Sequence, residues 1–211
     1  MGNDFTYREL LLLAHDTPTQ IRLRLLVADT HEAFLELVEQ AIDWIAQEFA
    51  KTRQHRLDRD EDGLTIDLVT TLKSMGFQAS HDTAYGGHCD VVVEARGDFL
   101  WLGEAKIHKG YDWLLKGFQQ LDTRYATALP KQDHGGMIIY CRQSRADQMM
   151  DKWASHLSAA RPDVAVQARG DGSLIFHSEH THDATGRRYH VRHLPICLHF
   201  APKDQAGKKP S

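Results

Sequence analysis

The chain has 211 residues, 42% of them hydrophobic, a formal net charge of −4 at pH 7, and three cysteines that lack any C-x-x-C spacing. Length and hydrophobic content fit one compact α/β domain or a domain with a small appendage, and the slight negative charge argues against a protein that coats nucleic acid by bulk attraction. The cysteine pattern, the lack of a signal-peptide pattern, and the lack of any apolar run near the roughly 20 residues of a membrane span favour a cytoplasmic chain with no membrane partner.

The first quarter of the chain has a helical pattern. An apolar segment ends at Pro18, and apolar residues then recur at three- and four-residue steps over residues 21–49. Residues 50–63 carry many charges of both signs and almost no apolar side chain, which indicates a solvated helix end and a linker. We therefore predict an N-terminal helical segment over residues 1–55.

A second domain is predicted over residues 56–202, and its first element is a helix. Leu64, Leu68 and Leu72 are spaced by four residues, acids precede them, and Gly76 stands where a helix C-terminal glycine is common.

The next segment predicts a β-hairpin. Residues 89–95 and 98–107 are rich in strand-forming side chains, and Gly97 supplies the flexible backbone of a turn between them. A turn centred on Gly97 places Asp90 directly opposite Glu104.

The rest of the domain alternates between helix and strand patterns, and we predict a disordered tail over residues 203–211. The predicted elements are a helix over 110–129 that ends before Pro130, a strand over 135–143, a helix over 144–157 with Ser144 as its cap, and a C-terminal hairpin of residues 173–180 and 187–200.

Three charged side chains in the first hairpin are predicted to meet. Glu104 and Lys106 are two residues apart and share a strand face, and Asp90 lies opposite. Two carboxylates that close repel each other by a few kcal/mol at intermediate dielectric, and a divalent cation removes that cost. Ligands that are all oxygens favour Mg²⁺ or Mn²⁺. The alternative is that the carboxylates sit at strand ends in water and that Lys106 pairs with Glu104.

Residues 61–156 resemble the PD-(D/E)xK, or restriction-endonuclease-like, nuclease superfamily. The resemblance rests on the order of the elements, on Glu61 in the first helix, on Asp90 at one strand, and on Glu104-Ala105-Lys106 in the next. It implies an α/β fold with a mixed sheet flanked by helices, here with the N-terminal helical segment and the C-terminal β-hairpin added.

The resemblance also implies the roles of these residues. Asp90, Glu104 and the carbonyl of Ala105 would ligate Mg²⁺, with Mn²⁺ as a substitute, and Glu61 would bind through water or hold a second ion. Lys106 and the metal would orient a water for attack on phosphorus. For Glu61 the alternative is that an acidic first turn only stabilises the helix through its dipole.

The segment 117–125 is similar to the Q-x-x-x-Y element that some members use near the phosphate. Gln120 and Tyr125 are five residues apart instead of four. Gln119 or Gln120 is therefore the candidate for substrate binding, and the role of Tyr125 stays open.

Further substrate contacts are expected from Lys109 and Lys116, although each also fits an ordinary solvated helix face. His88 is a candidate phosphate contact close to Asp90. The histidines of the C-terminal hairpin, such as His180 and His182, are expected on the surface, because no third zinc ligand stands at a signature spacing.

Together these features predict a Mg²⁺-dependent nuclease, with DNA favoured as the substrate. The family suggests a restriction or phage-defence effector that acts as a homo-oligomer or with an effector-complex partner. The alternative is a catalytically inactive nuclease-like fold that binds nucleic acid or protein.

Overall fold

A computed structural model of the protein describes residues 5–84, 86–170 and 172–205. The described helices are α1 (Tyr7–Leu13), α2 (Thr17–Val27), α3 (His31–Lys51), α4 (Glu61–Ser74), α5 (Tyr111–Gln120) and α6 (Ala146–Ala160). The described strands are β1 (Gln78–Ser80), β2 (Thr83–Ala84), β3 (His88–Cys89), β4 (Val91–Ala95), β5 (Phe99–Ile107), β6 (His134–Cys141), β7 (Ala165–Val166), β8 (Phe176–Thr181) and β9 (Arg188–Cys197).

Seven of these strands form one mixed sheet in the order β1-β4-β5-β6-β9-β8-β7, and β2 pairs with β3 apart from it. The central strands β5, β6 and β9 are parallel, whereas β4 with β5 and β8 with β9 are antiparallel. The predicted α/β fold with a mixed sheet flanked by helices is confirmed.

The register of the first hairpin is the predicted one. Val91 pairs with Gly103 and Ala95 pairs with Phe99, and the turn between them has Gly97 at a φ of 73°. Asp90 lies one residue beyond the last pair, so it stands at the mouth of the hairpin with its backbone outside the ladder.

The two faces of β5 contact different cores. Trp101, Ala105 and Ile107 pack with α3 and α4, whereas Leu102 packs with α5 and α6 on the other face. Because side chains alternate along a strand, Glu104 and Lys106 point to the α5 side. Glu104 and Lys106 therefore lie under α5.

The N-terminal helices differ from the predicted pattern in two places. The continuous apolar periodicity of residues 21–49 is broken between α2 and α3, where the side chain of Thr30 accepts a hydrogen bond from the amide of Ala33 and caps α3. Pro18 does not end the preceding helix: it lies in the first turn of α2, whose cap is Asp16.

Two predicted helix ends are wrong. Ser144 does not cap α6, because the residue before the helix is Arg145, with a left-handed φ of 62° and no side-chain cap bond. Its guanidinium instead bonds the carboxylate of Asp147. The helix predicted to run to residue 129 ends in a π-helical turn, Leu121–Tyr125.

The C-terminal hairpin is confirmed as an antiparallel pair, β8 with β9. Of the tail predicted to be disordered, Lys203–Gln205 forms a short 3-10 turn, and residues 206–211 lie outside the described residues. Within the ranges that the structure describes, no helix combines the length and the apolar character that a membrane crossing requires.

Candidate metal and catalytic site

Four residues singled out in the sequence meet at the ammonium group of Lys106. Its Nζ lies 2.6 Å from Oε1 of Glu104, 3.3 Å from Oε1 of Glu61 and 3.6 Å from Oδ2 of Asp90. Glu104 and Lys106 come from β5, Asp90 from the residue before β4, and Glu61 from the first turn of α4. Three separate elements thus contribute to one cluster.

Backbone amides of β5 hold two of the carboxylates in place. The amide of Ala105 donates to Oδ2 of Asp90 at 2.9 Å, and the amide of Ile107 donates to Oε2 of Glu61 at 2.7 Å. Asp60, not Glu61, caps α4 by accepting from the amide of Gly63 at 2.8 Å. Glu61 is therefore directed into the cluster, beyond any contribution to the helix dipole.

Glu104 is the most buried acid of the cluster. Its side chain is 1% exposed, and its Oε2 has no hydrogen-bond partner among the described residues. Burial and then the neighbouring charge of Asp90 raise the pKa of Glu104 to about 7, against the opposing effect of Lys106. The environment disfavours the Glu104 carboxylate, and an added cation would reverse that preference.

Lys106 keeps its proton. Burial lowers the pKa of its ammonium, but the carboxylates of Asp90, Glu104 and Glu61 together outweigh burial, and the net shift is upward. An ammonium with a raised pKa is a fixed positive charge and a hydrogen-bond donor, not a general base.

The donor set fits Mg²⁺ in chemistry. Asp90, Glu104 and Glu61 supply carboxylate oxygens, Ala105 supplies a carbonyl that lies 3.3 Å from Nζ of Lys106, and three carboxylates face one ammonium. The orphaned Oε2 of Glu104 is a buried ligand atom that needs a partner. The ammonium of Lys106 lies at the centre of this set. The oxygens of the three carboxylates are farther from one another than the ligands of a bound metal ion are.

Helix α5 packs closely over the lysine. A Cβ built at Gly117 would lie 3.0 Å from Cγ and 3.3 Å from Cε of Lys106, so the absence of a side chain at Gly117 lets the helix approach the lysine stem. One turn earlier, the ring of Trp113 has its centroid 5.6 Å from Nζ of Lys106.

Lys109 and Lys116 lie near Lys106, around the ring of Trp113. Each is exposed, and the Nζ of each is 5.5 Å from the centroid of the Trp113 ring. With Lys106 they surround one indole with three cations, a favourable cation–π arrangement. A local basic surface therefore borders the carboxylates in a chain of negative net charge.

The segment after α5 explains the unusual spacing of Gln120 and Tyr125. The amide of Ala126 donates to the carbonyl of Leu121 across five residues, at 2.9 Å, which makes this turn a π turn. A five-residue step in an α-helix leaves two side chains about 140° apart, whereas five residues of a π turn complete only a little more than one revolution. Gln120 and Tyr125 therefore occupy positions like those of residues four apart in an α-helix.

Tyr125 is buried in the core on the α5 side of the sheet. Burial followed by the charges of Glu104 and Asp90 raises the pKa of Tyr125 to about 12. The two glutamines differ in exposure: Gln120 is half-buried and Gln119 is exposed. Of the alternatives left open by the sequence, Gln120 is the one that precedes the π turn directly.

His88 is exposed and lies beside an aspartate outside the cluster. Its side chain is 78% exposed and its Nδ1 lies 2.7 Å from the carboxylate of Asp82. His81 takes the position next to the site, where its ring Nδ1 donates to the carbonyl of Asp90 at 2.8 Å. The sequence offered only proximity to Asp90 as a signal, and proximity along the chain does not separate the two histidines.

Cys89 is inert. Its buried thiol donates to the carbonyls of Val91 and Gly103, and burial raises its pKa to about 12, with the charge of Asp90 adding to the shift. A thiol with this pKa does not serve as a nucleophile at neutral pH.

The expectation that the hairpin histidines lie on the surface is wrong for two of them. His180 is fully buried and His182 is 7% exposed. The Nε2 of His180 lies 2.7 Å from Oδ1 of Asp122, and the other oxygen of Asp122 accepts from Arg161 at 3.0 Å. These groups form a buried structural network. It lies on the α5 side of the sheet, because the alternation of side chains along β8 directs His180 to that face.

Sequence reasoning also missed a second polar cluster, formed by His31, Asp133 and His134. Each of the three residues offers one possible metal-ligand atom, and these atoms lie within 4.8 Å of one another. Among the described residues no other group of three histidine, cysteine or acidic side chains meets this distance. His31 stands 103 positions before His134, which directly follows Asp133, and no sequence spacing connects His31 with that pair.

Comparisons of this chain with protein-family models, with curated proteins and with solved structures give no match. Glu61, Asp90, Glu104 and Lys106 are called the carboxylate–lysine cluster below.

Proposed function

We propose that the protein is a Mg²⁺-dependent nuclease of restriction-endonuclease-like fold, which hydrolyses phosphodiester bonds in nucleic acid, with DNA as the favoured substrate. The observation that carries this proposal is the convergence of Asp90, Glu104 and Glu61 on Lys106 at the mouth of a β-hairpin. The likeness in motif and element order to the PD-(D/E)xK superfamily supports it.

In this proposal Asp90, Glu104 and the carbonyl of Ala105 hold the metal, and Glu61 holds it through water or binds a second ion. When bound, Mg²⁺ supplies Lewis-acid stabilisation of the charge that develops on the phosphate. Glu104 contributes the orphaned oxygen, and Asp90 is already oriented by the amide of Ala105.

Lys106 supplies a fixed positive charge. Its protonated ammonium can hold a water in line with the leaving oxygen and stabilise negative charge on the equatorial phosphate oxygens. Water attacks phosphorus, the bond to the leaving oxygen breaks, and the proton of the water passes to solvent or to the leaving oxygen. No covalent protein intermediate is needed.

The basic border of the cluster supports a polyanionic substrate. Lys109 and Lys116 flank the indole of Trp113, and Gln120 and Tyr125 lie along the same helix and its π turn. Lysines contact phosphates without reading sequence, so we propose that they position the backbone.

A restriction or phage-defence role, as a homo-oligomer or with an effector-complex partner, belongs to the same proposal. Contact with a second copy or another partner is supported by the exposed apolar side chains of the N-terminal helices, which include Leu12 and Leu13 of α1 and Leu26 and Val27 of α2. Apolar surface of this kind favours a protein contact.

One observation favours a second candidate, a nuclease-like fold that binds nucleic acid or protein without cutting. Lys106 already pairs with three carboxylates, so the cluster has a charge partner without any metal. The two candidates differ in whether divalent metal produces turnover.

The test is cleavage of plasmid DNA and of RNA by purified protein with Mg²⁺, Mn²⁺ or EDTA. Wild type should cut with either metal and stop in EDTA, and both Lys106→Ala and Asp90→Asn should lower the rate by at least a hundredfold. Lys152→Ala, an exposed lysine of α6, is the matched control and should cut like wild type. Circular dichroism establishes that each variant is folded.

Equal cutting by wild type and Lys106→Ala would show that the activity comes from a contaminant. Metal-independent retention of nucleic acid with no cleavage of either substrate would support the binding module instead.

A further inference from the structure

His31, Asp133 and His134 bring three metal-binding atoms together at the edge of α3. Nε2 of His31 lies 3.3 Å from Oδ1 of Asp133 and 3.4 Å from Nδ1 of His134, and that Nδ1 lies 2.8 Å from the same Oδ1. We propose that these three residues bind a transition-metal ion, with Zn²⁺ as the expected metal.

The separations are those that zinc requires. Zinc lies about 2.0–2.1 Å from imidazole nitrogen and about 2.0–2.2 Å from carboxylate oxygen, so two ligands of a tetrahedral ion are about 3.3 Å apart. Two of the three observed separations match this value, and the third is shorter by about half an ångström. Ion binding therefore needs only a small outward movement of Asp133 or His134.

The surrounding residues hold the ligands in place. His134 is the first residue of β6, and its ring stacks on that of His190 with centroids 4.7 Å apart. The amide of His190 donates to the carbonyl of Asp133 at 2.8 Å, and the ring of His31 lies 5.4 Å from that of Phe99. Two imidazoles and one carboxylate thus start from fixed orientations.

One ring nitrogen of the cluster has no partner. Nδ1 of His31 is buried and, in the part of the chain that the structure describes, accepts and donates no hydrogen bond. The ligand side chains are 13%, 26% and 27% exposed for His31, Asp133 and His134. They are sheltered but reachable from solvent, and three protein ligands leave a fourth position for water.

The ligand chemistry separates this cluster from the carboxylate–lysine cluster. Imidazole nitrogens suit Zn²⁺ and its neighbours in the first transition row, whereas oxygen-only sets suit Mg²⁺. In the sheet His134 pairs with Trp101, three residues before Glu104, which is about 10 Å along the strand. His134 also projects to the α3 face, because it pairs with Trp101 in the neighbouring strand and paired residues point to the same face of the sheet.

A bound ion would link the start of α3 to the start of β6. Binding to the folded state alone raises thermal stability with metal concentration. This effect does not depend on nuclease activity.

The experiment is titration of chelator-treated full-length protein with Zn²⁺ at pH 7.5, followed by calorimetry and by thermal unfolding. Wild type should bind one Zn²⁺ per chain with a rise of several degrees in melting temperature. Substitution of Asp133→Asn or His31→Gln should weaken binding at least tenfold and remove that rise. Bound Co²⁺ should give the visible absorption of a tetrahedral ion in wild type and not in these variants.

His177→Gln is the matched control, because His177 is exposed on β8 and outside the cluster. It should bind Zn²⁺ like wild type. The proposal is overturned if wild type takes up no Zn²⁺, or if Asp133→Asn and His31→Gln, shown to be folded by circular dichroism, bind it as wild type does.

Discussion

Glu104 is a carboxyl held where its charge is disfavoured. Burial and the charge of Asp90 raise its pKa to about 7 even though Lys106 lies 2.6 Å away. Such an arrangement lowers the stability of the metal-free protein, and binding sites commonly carry a cost of this kind.

Glu104→Gln should therefore stabilise the metal-free protein at pH 8 by about 1 to 3 kcal/mol, because the neutral amide removes a disfavoured charge and keeps the shape of the side chain. The free energy of unfolding in urea with EDTA measures this. The same substitution should abolish Mg²⁺-dependent cleavage.

Glu32→Gln, an exposed acid in the first turn of α3, is the control and should change the free energy of unfolding by less than about 0.5 kcal/mol. A clear loss of stability in metal-free Glu104→Gln would mean that the pair with Lys106 is a structural ion pair.

His193 is a buried histidine that the fold keeps neutral. Trp153 donates its indole N–H to Nδ1 at 3.1 Å, so the ring proton is on Nε2, which donates to the hydroxyl of Ser178 at 2.8 Å. Burial, then the charges of His177 and His180, hold the pKa of His193 well below its usual range.

The unfolded chain protonates this histidine below a pH of about 6.5 and the folded chain does not, so the free energy of unfolding should fall as pH drops below that value. The contribution of His193 is up to about 1.4 kcal/mol per pH unit. His193→Gln should flatten the profile between pH 6.5 and 5, as measured by urea unfolding at each pH.

The exposed His15 offers a comparison, since His15→Gln should leave the slope of the profile unchanged. An unchanged slope in His193→Gln would show that the acid sensitivity originates elsewhere.

At the scale of elements, the π turn Leu121–Tyr125 lets one extra residue enter a helix while Tyr125 stays in the core. Such turns are local insertions, frequent at functional sites. Thr123 is the exposed residue of this turn whose hydroxyl only bonds the carbonyl of Gln119.

Deletion of Thr123 should convert the π turn to an α turn and leave Tyr125 in place. The melting temperature should stay within about 5 °C of wild type. Deletion of the exposed Lys116 is the comparison: it rotates Gly117 and Phe118 by about 100° relative to the start of α5, and should cause a much larger loss. Equal losses in the two variants would contradict the role assigned to the π turn.

Local patterns predicted the elements whose contacts are close in sequence. Alternation of apolar side chains and a single glycine gave the register of β4 with β5, and with it the meeting of Glu104 with Asp90. The sequence could not predict that Arg145 precedes α6 in a left-handed conformation. A non-glycine residue adopts that conformation because of tertiary contacts and not because of its propensity.

At the scale of the whole molecule, the parallel pairing of β6 with β9 could not be predicted, because no short-range signal sets the register of strands so far apart. For the same reason the burial of His180 and the meeting of His31 with His134 were missed. The polar composition of the C-terminal hairpin indicated surface, but β8 and β9 lie within the large sheet, where α5 and α6 cover one face.

The helices of the N-terminal segment differ in how much they contribute to the hydrophobic core. None of the residues of α1 is buried, whereas seven residues of α3 are buried, and they share a core with β4 and β5. A chain that starts at Ala14 should therefore melt within about 5 °C of the full chain, whereas a chain of residues 56–211 should show no cooperative unfolding.

Thermal denaturation followed by circular dichroism measures both truncations. Cooperative unfolding of residues 56–211 would show instead that the helical segment of residues 1–55 is a separate unit.

The most direct test of the central claim is the anomalous diffraction of Mn²⁺ in crystals grown with the ion. If the carboxylate–lysine cluster binds the metal, an anomalous peak of Mn²⁺ lies in contact with the side chains of Asp90 and Glu104. Crystals of Asp90→Asn lack this peak. Saturating Mn²⁺ that leaves no peak at this cluster, with Lys106 still paired to all three carboxylates, would contradict the account.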